Sequence, residues 1–267
     1  MIKGVIVLAG VLLIAAGANG CSASRITRRK EYSLSTAIHS INLRGYNGEI
    51  SWKAVEPGAV SRIVMEKEVR GSVSGAMESF LESIQIEDYS TDSEITLQAV
   101  KPQRPWGVTG SAVRFTVYAS PDQISKFQAQ TSNGSIKVET EFQGSLNLTT
   151  SNGPIVLRSG RGSISLRTSN GRIELGEIYL TDSSSAQTSN GRIEGAVVLP
   201  RHGHYVFETS NGRIALEMPH DTAGKFDIKT SNGLVEFRLG EETITNQKHL
   251  HIRRGDEPTI GITTSNG

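Results

Sequence analysis

Three arginines that recur at one position of a repeated motif are the clearest candidates for binding chemistry in this sequence. Arg172, Arg192 and Arg213 each follow the glycine of a Thr-Ser-Asn-Gly tetrapeptide, and Glu174 and Glu194 stand two residues after the first two arginines. If successive copies stack as parallel strands, equivalent residues lie about 4.8 Å apart. Such a row of guanidinium groups could bind carboxylates or phosphates of envelope polymers in a bidentate manner. The glutamates could instead favour cationic peptides, and a solvated Arg/Glu face without a ligand is the structural alternative.

The only cysteine, Cys21, follows a stretch that is typical of a secretory leader. Lys3 supplies a positive charge, residues 4–17 are apolar, and small residues precede the cysteine. The run Ala18-Asn19-Gly20-Cys21 resembles the lipobox of bacterial lipoproteins, which implies cleavage before Cys21 and lipid attachment to it. By resemblance to lipoprotein sorting rules, Ser22 favours the outer membrane in a cell with two membranes. An ordinary cleaved signal peptide and an uncleaved N-terminal membrane anchor are the alternatives.

The remaining chemistry-bearing residues do not form a known catalytic or metal-binding pattern. His202 with His204, and likewise His249 with His251, could give two ligands to zinc or copper. However, no cysteine, Asp-rich loop or third histidine stands at a helpful spacing, so we expect surface histidines, no metal site and no cofactor. No serine-nucleophile motif, phosphate-binding loop or dinucleotide fingerprint occurs. A net charge of +1 and 6% aromatic residues give no basis for nucleic-acid binding.

The Thr-Ser-Asn-Gly motif that precedes each arginine organises most of the chain. Apolar and polar residues alternate on both sides of each Asn-Gly, which predicts two short strands per repeat. The first six copies start 18 to 21 residues apart, and a repeat of this length buries its apolar face only by stacking on its neighbours. The seven copies start at Thr131, Thr150, Thr168, Thr188, Thr209, Thr230 and Thr264.

Two structures could place a turn at Asn-Gly. A type I′ hairpin uses this dipeptide because its residues accept positive φ, and it would give an antiparallel repeat of hairpins. A solenoid corner would also explain why Thr and Ser recur, because an inward Asn could hydrogen-bond to the copies above and below it. We therefore expect an all-β, right-handed parallel β-solenoid. Its corner asparagines would be Asn133, Asn152, Asn170, Asn190, Asn211 and Asn232.

These patterns predict three segments. Residues 1–20 are the signal peptide, and residues 21–34 are the lipid-anchor cysteine with a polar tether whose basic side chains could touch anionic head groups. Residues 35–267 are a single solenoid domain, with an irregular part at 35–125 and regular repeats at 126–267.

Two places interrupt the repeats. Ala76, Phe80 and Ile84 have the spacing of one helix face, which predicts a short helix over residues 75–84 that covers the strands. The last motif starts 34 residues after the sixth, and the sequence stops on it. With no strand after this motif, Asn266 is expected to contribute little to stability.

The leader, an early Asn47-Gly48-Glu49-Ile50 segment and the many Ser-Asn-Gly-x-Ile segments together resemble the bacterial "putative adhesin" family of β-strand repeat envelope proteins, a domain of unknown function. The resemblance covers about residues 35–267 and implies a lipid-anchored β-helical envelope domain without known catalysis. We expect a non-enzymatic module that presents an extended surface to envelope glycans or other surface proteins. Sensing or sequestration of membrane-active cationic peptides under envelope stress, and a carbohydrate-active β-helix enzyme, are the alternatives.

Overall fold

The computed structural model describes most of the chain, namely residues 5–8, 24–232, 235–239, 242–246 and 248–267. Cys21 and most of the predicted leader lie outside these residues. Where the sequence predicted a single domain over residues 35–267, the chain forms two compact units, residues 1–134 and residues 135–267.

The N-terminal unit is built around an antiparallel sheet. Its elements are β1 (Val5–Leu8), β2 (Ser24–Leu34), β3 (Ser40–Arg44), β4 (Ile50–Ala54), β5 (Arg62–Gly71), α1 (Ser74–Ser83), β6 (Gln85–Asp88), β7 (Glu94–Val100), β8 (Val108–Ala119) and β9 (Lys126–Gln130). β5 pairs antiparallel with both β2 and β8. β1 pairs antiparallel with β2, and β4 runs parallel to β8. β3 lies between β7 and β9 in a parallel group that β6 extends antiparallel.

The helix predicted over residues 75–84 is confirmed as α1. Its buried side chains are Met77, Phe80 and Leu81, and it packs against β5 and β2. Lys67 of β5 donates from Nζ to the carbonyl oxygen of Ile84 at 2.5 Å. This bond satisfies one of the carbonyl groups that a helix end leaves without a partner, so α1 is fixed to the sheet at its C-terminal end.

The segment predicted as a polar tether is a strand from residue 24 onward. β2 pairs with β5 from Ser24 to Ser33. Its basic side chains find partners within the unit, since Arg28 lies 2.5 Å from Glu82 and Arg25 lies 3.6 Å from Glu68. The tether prediction is therefore wrong for this part, because the pairing carboxylates come from distant parts of the chain that local composition does not reveal.

The C-terminal unit carries the repeats. Its strands are β10 (Ile136–Val138), β11 (Phe142–Thr149), β12 (Ile155–Arg167), β13 (Ile173–Leu180), β14 (Ser184–Thr188), β15 (Ile193–Val198), β16 (His204–Thr209), β17 (Ile214–Glu217), β18 (Lys225–Thr230), β19 (Val235–Leu239), β20 (Glu242–Asn246), β21 (His249–Arg253) and β22 (Thr259–Thr264). Strands that follow a corner stack in parallel as β10, β12, β13, β15 and β17. Strands that precede a corner stack in parallel as β11, β12, β14 and β16.

The register of these two rows follows the sequence repeat. Ile155 pairs with Ile173, which in turn pairs with Ile193. All three side chains are 0% exposed, and burying one isoleucine contributes roughly 1.5–3 kcal/mol. Glu174 pairs with Glu194 in the same row but is partly exposed. The period-two alternation of the sequence thus separates an apolar inner face from a polar outer face.

The last strand of the chain is not last in space. β22 pairs in parallel with β16 on one side and with β18 on the other. β21 then pairs antiparallel with β18, and β19 pairs antiparallel with β20. The strand order is therefore β16, β22, β18 and β21, so the seventh motif is inserted between the fifth and the sixth.

The all-β fold with one short helix is confirmed, but a right-handed parallel β-solenoid for the whole domain is not. Antiparallel pairs are extensive in both units, as in the β2–β5–β8 sheet and the β18–β21 pair, so the sheet is mixed. The hairpin alternative also fails to describe the repeats from β10 to β17. There the strands on either side of Asn-Gly pair in parallel with neighbouring repeats.

The corners require glycine because successive turns come into contact. A Cβ built on Gly191 would lie 1.8 Å from the carbonyl oxygen of Gly171, and one built on Gly212 would lie 1.7 Å from that of Gly191. None of these three glycines has a positive φ. The positive φ expected of Asn-Gly is therefore not the reason that glycine recurs at these corners; the close approach of the neighbouring backbone is.

Gly191→Ala should lower the free energy of unfolding by about 3 kcal/mol, at the upper end of the range for overpacking, because the new methyl group meets backbone atoms that cannot rotate away. Gly75→Ala is the matched control. Gly75 lies in α1 with open space around its Cβ direction, so alanine should stabilise the protein by about 0.5–1 kcal/mol through helix propensity. Urea denaturation measures both, and equal effects would contradict this account of the corner.

Candidate functional site

The threonine of each motif is the inward residue of the corner. Thr188 is buried, donates from Oγ1 to the carbonyl oxygen of Gly171 at 2.9 Å, and accepts from the backbone N–H of Gly191 at 3.2 Å. Thr168 makes the same pair of contacts with Gly153 and Gly171. One hydroxyl therefore closes its own turn and ties that turn to the preceding one.

The asparagines form a ladder on the outside of the corner. Asn190 donates from Nδ2 to Oδ1 of Asn170 at 2.7 Å and accepts from Nδ2 of Asn211 at 2.7 Å. Their side chains are exposed, so the prediction of an inward Asn is wrong, because the threonine occupies the interior. In the C-terminal unit the ladder runs in the order Asn152, Asn170, Asn190, Asn211, Asn266 and Asn232. In the N-terminal unit Asn133 donates to Asn47 at 2.5 Å.

Asn266 has a larger role than the sequence indicated. It donates to Asn211 and accepts from Asn232, each at 2.6 Å, because β22 is inserted between the strands that precede those residues. The expectation that Asn266 is close to neutral assumed that the last motif in sequence is also the last in the stack. The strand order shows instead that Asn266 is an interior member of the ladder.

The three arginines form a row directly beside the ladder. Their backbone carbonyl groups accept hydrogen bonds from Ile155, Ile173 and Ile193 of the preceding repeats, each at 2.9 Å. These bonds fix the residues one strand spacing apart, and all three side chains are exposed. The residues in the row are Arg172, Arg192 and Arg213.

The charges along this row are not equivalent. Arg172 forms an ion pair with Glu174, and Arg192 Nε lies 2.9 Å from Glu194 Oε1. Arg213 has Ala215 at the position of those glutamates and makes no ion pair with another residue in the described part of the chain. The positive charge of the row is therefore compensated at two positions and concentrated at Arg213.

A second polar row, on the strands that precede the corners, did not stand out in the sequence. Gln187 donates from Nε2 to Glu208 Oε2 at 2.9 Å and accepts from Arg167 at 2.5 Å. The available signal was that the position before each motif threonine is always polar. We use the name corner face for this row, the asparagine ladder and the arginine row together, with Glu174 and Glu194. Within the corner face the asparagine–asparagine contact recurs at the strand spacing, while the side-chain contacts of the two flanking rows differ from strand to strand.

A buried carboxylate in the N-terminal unit has a structural role. Glu68 is 2% exposed, and its oxygens lie 2.6 Å from both Arg114 and Arg70 and 3.6 Å from Arg25. Burial raises its pKa, but hydrogen bonds from Arg114 and Arg70 outweigh this and hold the pKa below its usual value. With three guanidinium groups around it, Glu68 joins β2, β5 and β8.

The two histidine pairs occupy different surroundings. His202 Nδ1 lies 2.6 Å from Glu257 Oε2, and His204 Nδ1 lies 2.7 Å from Thr259 Oγ1. His249 and His251 lie on β21 and face the carboxylate of Asp227 on β18.

A comparison with family profiles decides the family. The profile of the family described as "Toastrack DUF4097" matches residues 30–201, which is more than half of the 267 residues. This chain belongs to the Toastrack DUF4097 family. Of the arginine row, Arg172 and Arg192 lie inside the matched region, and Arg213 lies beyond it. The resemblance to a domain of unknown function is thereby confirmed.

Several solved structures are similar to this Toastrack chain. One is a "putative adhesin" from Parabacteroides merdae ATCC 43184, with 11% identity, 72% of this chain and 88% of that chain covered, and a TM-score of 0.39. A "putative cell adhesion protein" from Clostridium sporogenes ATCC 15579 has 11% identity, 90% and 95% coverage, and a TM-score of 0.35. A "putative adhesin" from Bacteroides fragilis NCTC 9343 has 13% identity, 73% and 94% coverage, and a TM-score of 0.37. No curated protein matches the Toastrack chain.

The described residues of this Toastrack protein include no helix with the length and apolar character needed to cross a bilayer.

The two polar residues of the corner should differ in their contribution to stability. Thr188→Val should lower the free energy of unfolding by about 1–3 kcal/mol, because it leaves a buried carbonyl and a buried N–H without a partner. Asn190→Ala should cost only about 0.5–1 kcal/mol, because water can replace the exposed amide contacts. Asn266→Ala should match Asn190→Ala. A larger loss for either asparagine than for Thr188, in chemical denaturation, would contradict the inward placement of the threonine.

Proposed function

We propose that this protein is a non-enzymatic, envelope-anchored β-repeat lipoprotein whose corner face binds anionic polymers of the cell envelope. The observation that carries the proposal is the exposed row of Arg172, Arg192 and Arg213, fixed in register by backbone hydrogen bonds. A linear polymer with a carboxylate or phosphate on each unit can contact several such guanidinium groups at once, each in a bidentate manner. Binding of this kind needs no enclosed pocket.

The scaffold of this face is proposed to be a local right-handed parallel β-solenoid. The parallel register of β10, β12, β13, β15 and β17 supports it. Connections between parallel strands of one sheet are right-handed in about 98% of cases. A rigid stack of this kind keeps the row pre-organised, so that little conformational entropy is lost when a polymer binds.

Within the row, Arg213 should contribute most to the binding of an anion. A polymer that binds Arg172 or Arg192 must compete with Glu174 or Glu194 for the guanidinium group. At Arg213 no such competition from a described carboxylate exists, so more of the contact energy is available for the ligand. Anion binding at the proposed site should therefore be strongest at the Arg213 end of the row.

Binding to an acidic polysaccharide such as polygalacturonate tests this proposal with the full-length protein in detergent. The triple variant Arg172→Ala/Arg192→Ala/Arg213→Ala should bind at least ten times more weakly, and Arg213→Ala alone should lose more affinity than Arg172→Ala. The matched control is Arg158→Ala/Arg161→Ala/Arg201→Ala, which removes the same charge from exposed positions away from the row. An equal loss in both triple variants would show non-specific charge attraction. Release of reducing ends during incubation would show that the protein is an enzyme.

A second candidate function is the binding of membrane-active cationic peptides under envelope stress. Glu174 and Glu194 favour it, since they lie in register on neighbouring strands of the same face. The same binding experiment distinguishes the two functions when a cationic peptide replaces the polysaccharide. Affinity that is lost in Glu174→Gln/Glu194→Gln but kept in the arginine triple variant would favour the peptide.

The location in the envelope is part of the proposal and depends on Cys21. If Cys21 carries the lipid, the wild-type protein should partition into the detergent phase, and Cys21→Ala should remain in the aqueous phase. Each buried CH₂ group of an acyl chain contributes about 0.8 kcal/mol to membrane binding, so the difference should be large. Equal partitioning of both proteins would exclude lipidation, and a mass that includes residues 1–20 would identify an uncleaved anchor.

A further inference from the structure

Three potential metal ligands from two strands meet on the surface of the C-terminal unit. Asp227 lies on β18, and His249 and His251 lie on β21, which pairs antiparallel with β18 so that Asp227 is opposite His251. Residues two apart on a strand project to the same face, so both imidazole rings lie over the carboxylate. Asp227 Oδ1 is 2.6 Å from His249 Nε2 and 3.2 Å from His251 Nδ1.

We propose that Asp227, His249 and His251 form a binding site for a divalent transition metal ion, for which Zn²⁺ is the probe. One ligand atom from each residue lies within 4.8 Å of the other two, and ligands of one ion at about 2.0–2.2 Å must lie within such a distance of one another. Two imidazoles and one carboxylate are a donor set that zinc uses with a fourth position left to water. The first-row ions that suit imidazole would share the site, with Cu²⁺ the tightest.

The surroundings leave the fourth position open. The strand on the other side of β18 places Gly261 of β22 next to Asp227. Among the residues that the structure describes, a Cβ built on Gly261 would meet one atom within 4 Å, the carbonyl oxygen of Tyr205 at 3.9 Å. The missing side chain therefore leaves room beside the carboxylate for a coordinated water molecule or an incoming ligand atom.

Neighbouring charges determine how much of the negative charge of Asp227 is available to a metal ion. Lys229 Nζ lies 2.5 Å from Oδ2 of Asp227, which is not the oxygen that faces the imidazoles. This ammonium group orients the carboxylate and also competes with a cation for its negative charge. The next cations along the two strands, Lys225 and Arg253, pair with Asp256 instead.

The site depends on the part of the C-terminal unit after β18, where the motifs are no longer spaced by 18 to 21 residues. The sequence offered no third ligand near His249 and His251, and β18 supplies it from 22 residues earlier. β21 lies in the long segment between residues 230 and 264 that separates the last two motifs, and it pairs antiparallel with β18. The proposed site is thus independent of the corner face and of the function proposed for it.

Isothermal titration of the full-length protein, purified without a histidine tag, with ZnCl₂ tests the site. We expect one equivalent of Zn²⁺ per chain, with affinity reduced at least tenfold in Asp227→Asn and in His251→Ala. Lys229→Met should bind Zn²⁺ more tightly than wild type, because the competing ammonium group is gone. The matched control is His202→Ala/His204→Ala, which removes the other histidine pair and should leave the affinity unchanged.

Two results would overturn the proposal. One is the absence of saturable Zn²⁺ binding by wild-type protein whose circular dichroism spectrum shows the folded β structure. The other is equal affinity in wild type and in Asp227→Asn. The Lys229→Met variant keeps all three ligands, so a gain in its affinity together with an unchanged circular dichroism spectrum would support the site even if a ligand variant were unstable.

Discussion

The contact between the backbones of successive corners is the constraint on which the C-terminal unit depends. The carbonyl oxygen of one corner glycine occupies the space that a side chain on the next would need. The spacing of repeats at this edge is therefore set by backbone atoms and one threonine hydroxyl, with no adjustable side chain between them. Side chains that project outward from the corners repeat in the same register. Asparagine therefore contacts asparagine, and arginine follows arginine along the corner face.

The inner face of the repeats was predictable because its signal is local. Alternation around each Asn-Gly identifies Ile155, Ile173 and Ile193 as inward residues whether or not the neighbouring repeats are known. The orientation of the corner was not predictable in this way, since Thr, Ser and Asn are all polar. A hydroxyl can donate to one backbone carbonyl and accept from one N–H in a confined turn, whereas an amide has two donors and an acceptor that need more partners. The smaller group is therefore inside and the amide outside.

Non-local ion pairs explain why the strand over residues 24–34 was not predictable from the local sequence. Residues 24–30 are rich in basic side chains and look like a solvated linker when taken alone. Arg25 is nevertheless attached to Glu68, and Glu68 is shared with Arg70 and Arg114. Once these groups are assembled, the buried carboxylate would be strongly destabilising without its partners. The basic residues of β2 are thus part of the folded sheet, and only the three-dimensional pairing distinguishes them from a tether.

The insertion of β22 shows a general property of repeats with identical corners. Any Thr-Ser-Asn-Gly copy offers the same hydroxyl, the same amide and the same carbonyl, so the corner does not specify which copy is its neighbour. The order in space is decided by the connections. The first five motifs, which start 18 to 21 residues apart, take successive positions in the stack, whereas the sixth, which also starts 21 residues after the fifth, lies one position further on. The 34 residues before the last motif allow the chain to pass along β18 as β21 and return between β16 and β18. The same detour that exchanges the last two motifs places His249 and His251 beside Asp227. The long connection before the last motif, rather than any residue of the motif, therefore supplies the two histidines of the one cluster of metal-binding character in the described part of the chain.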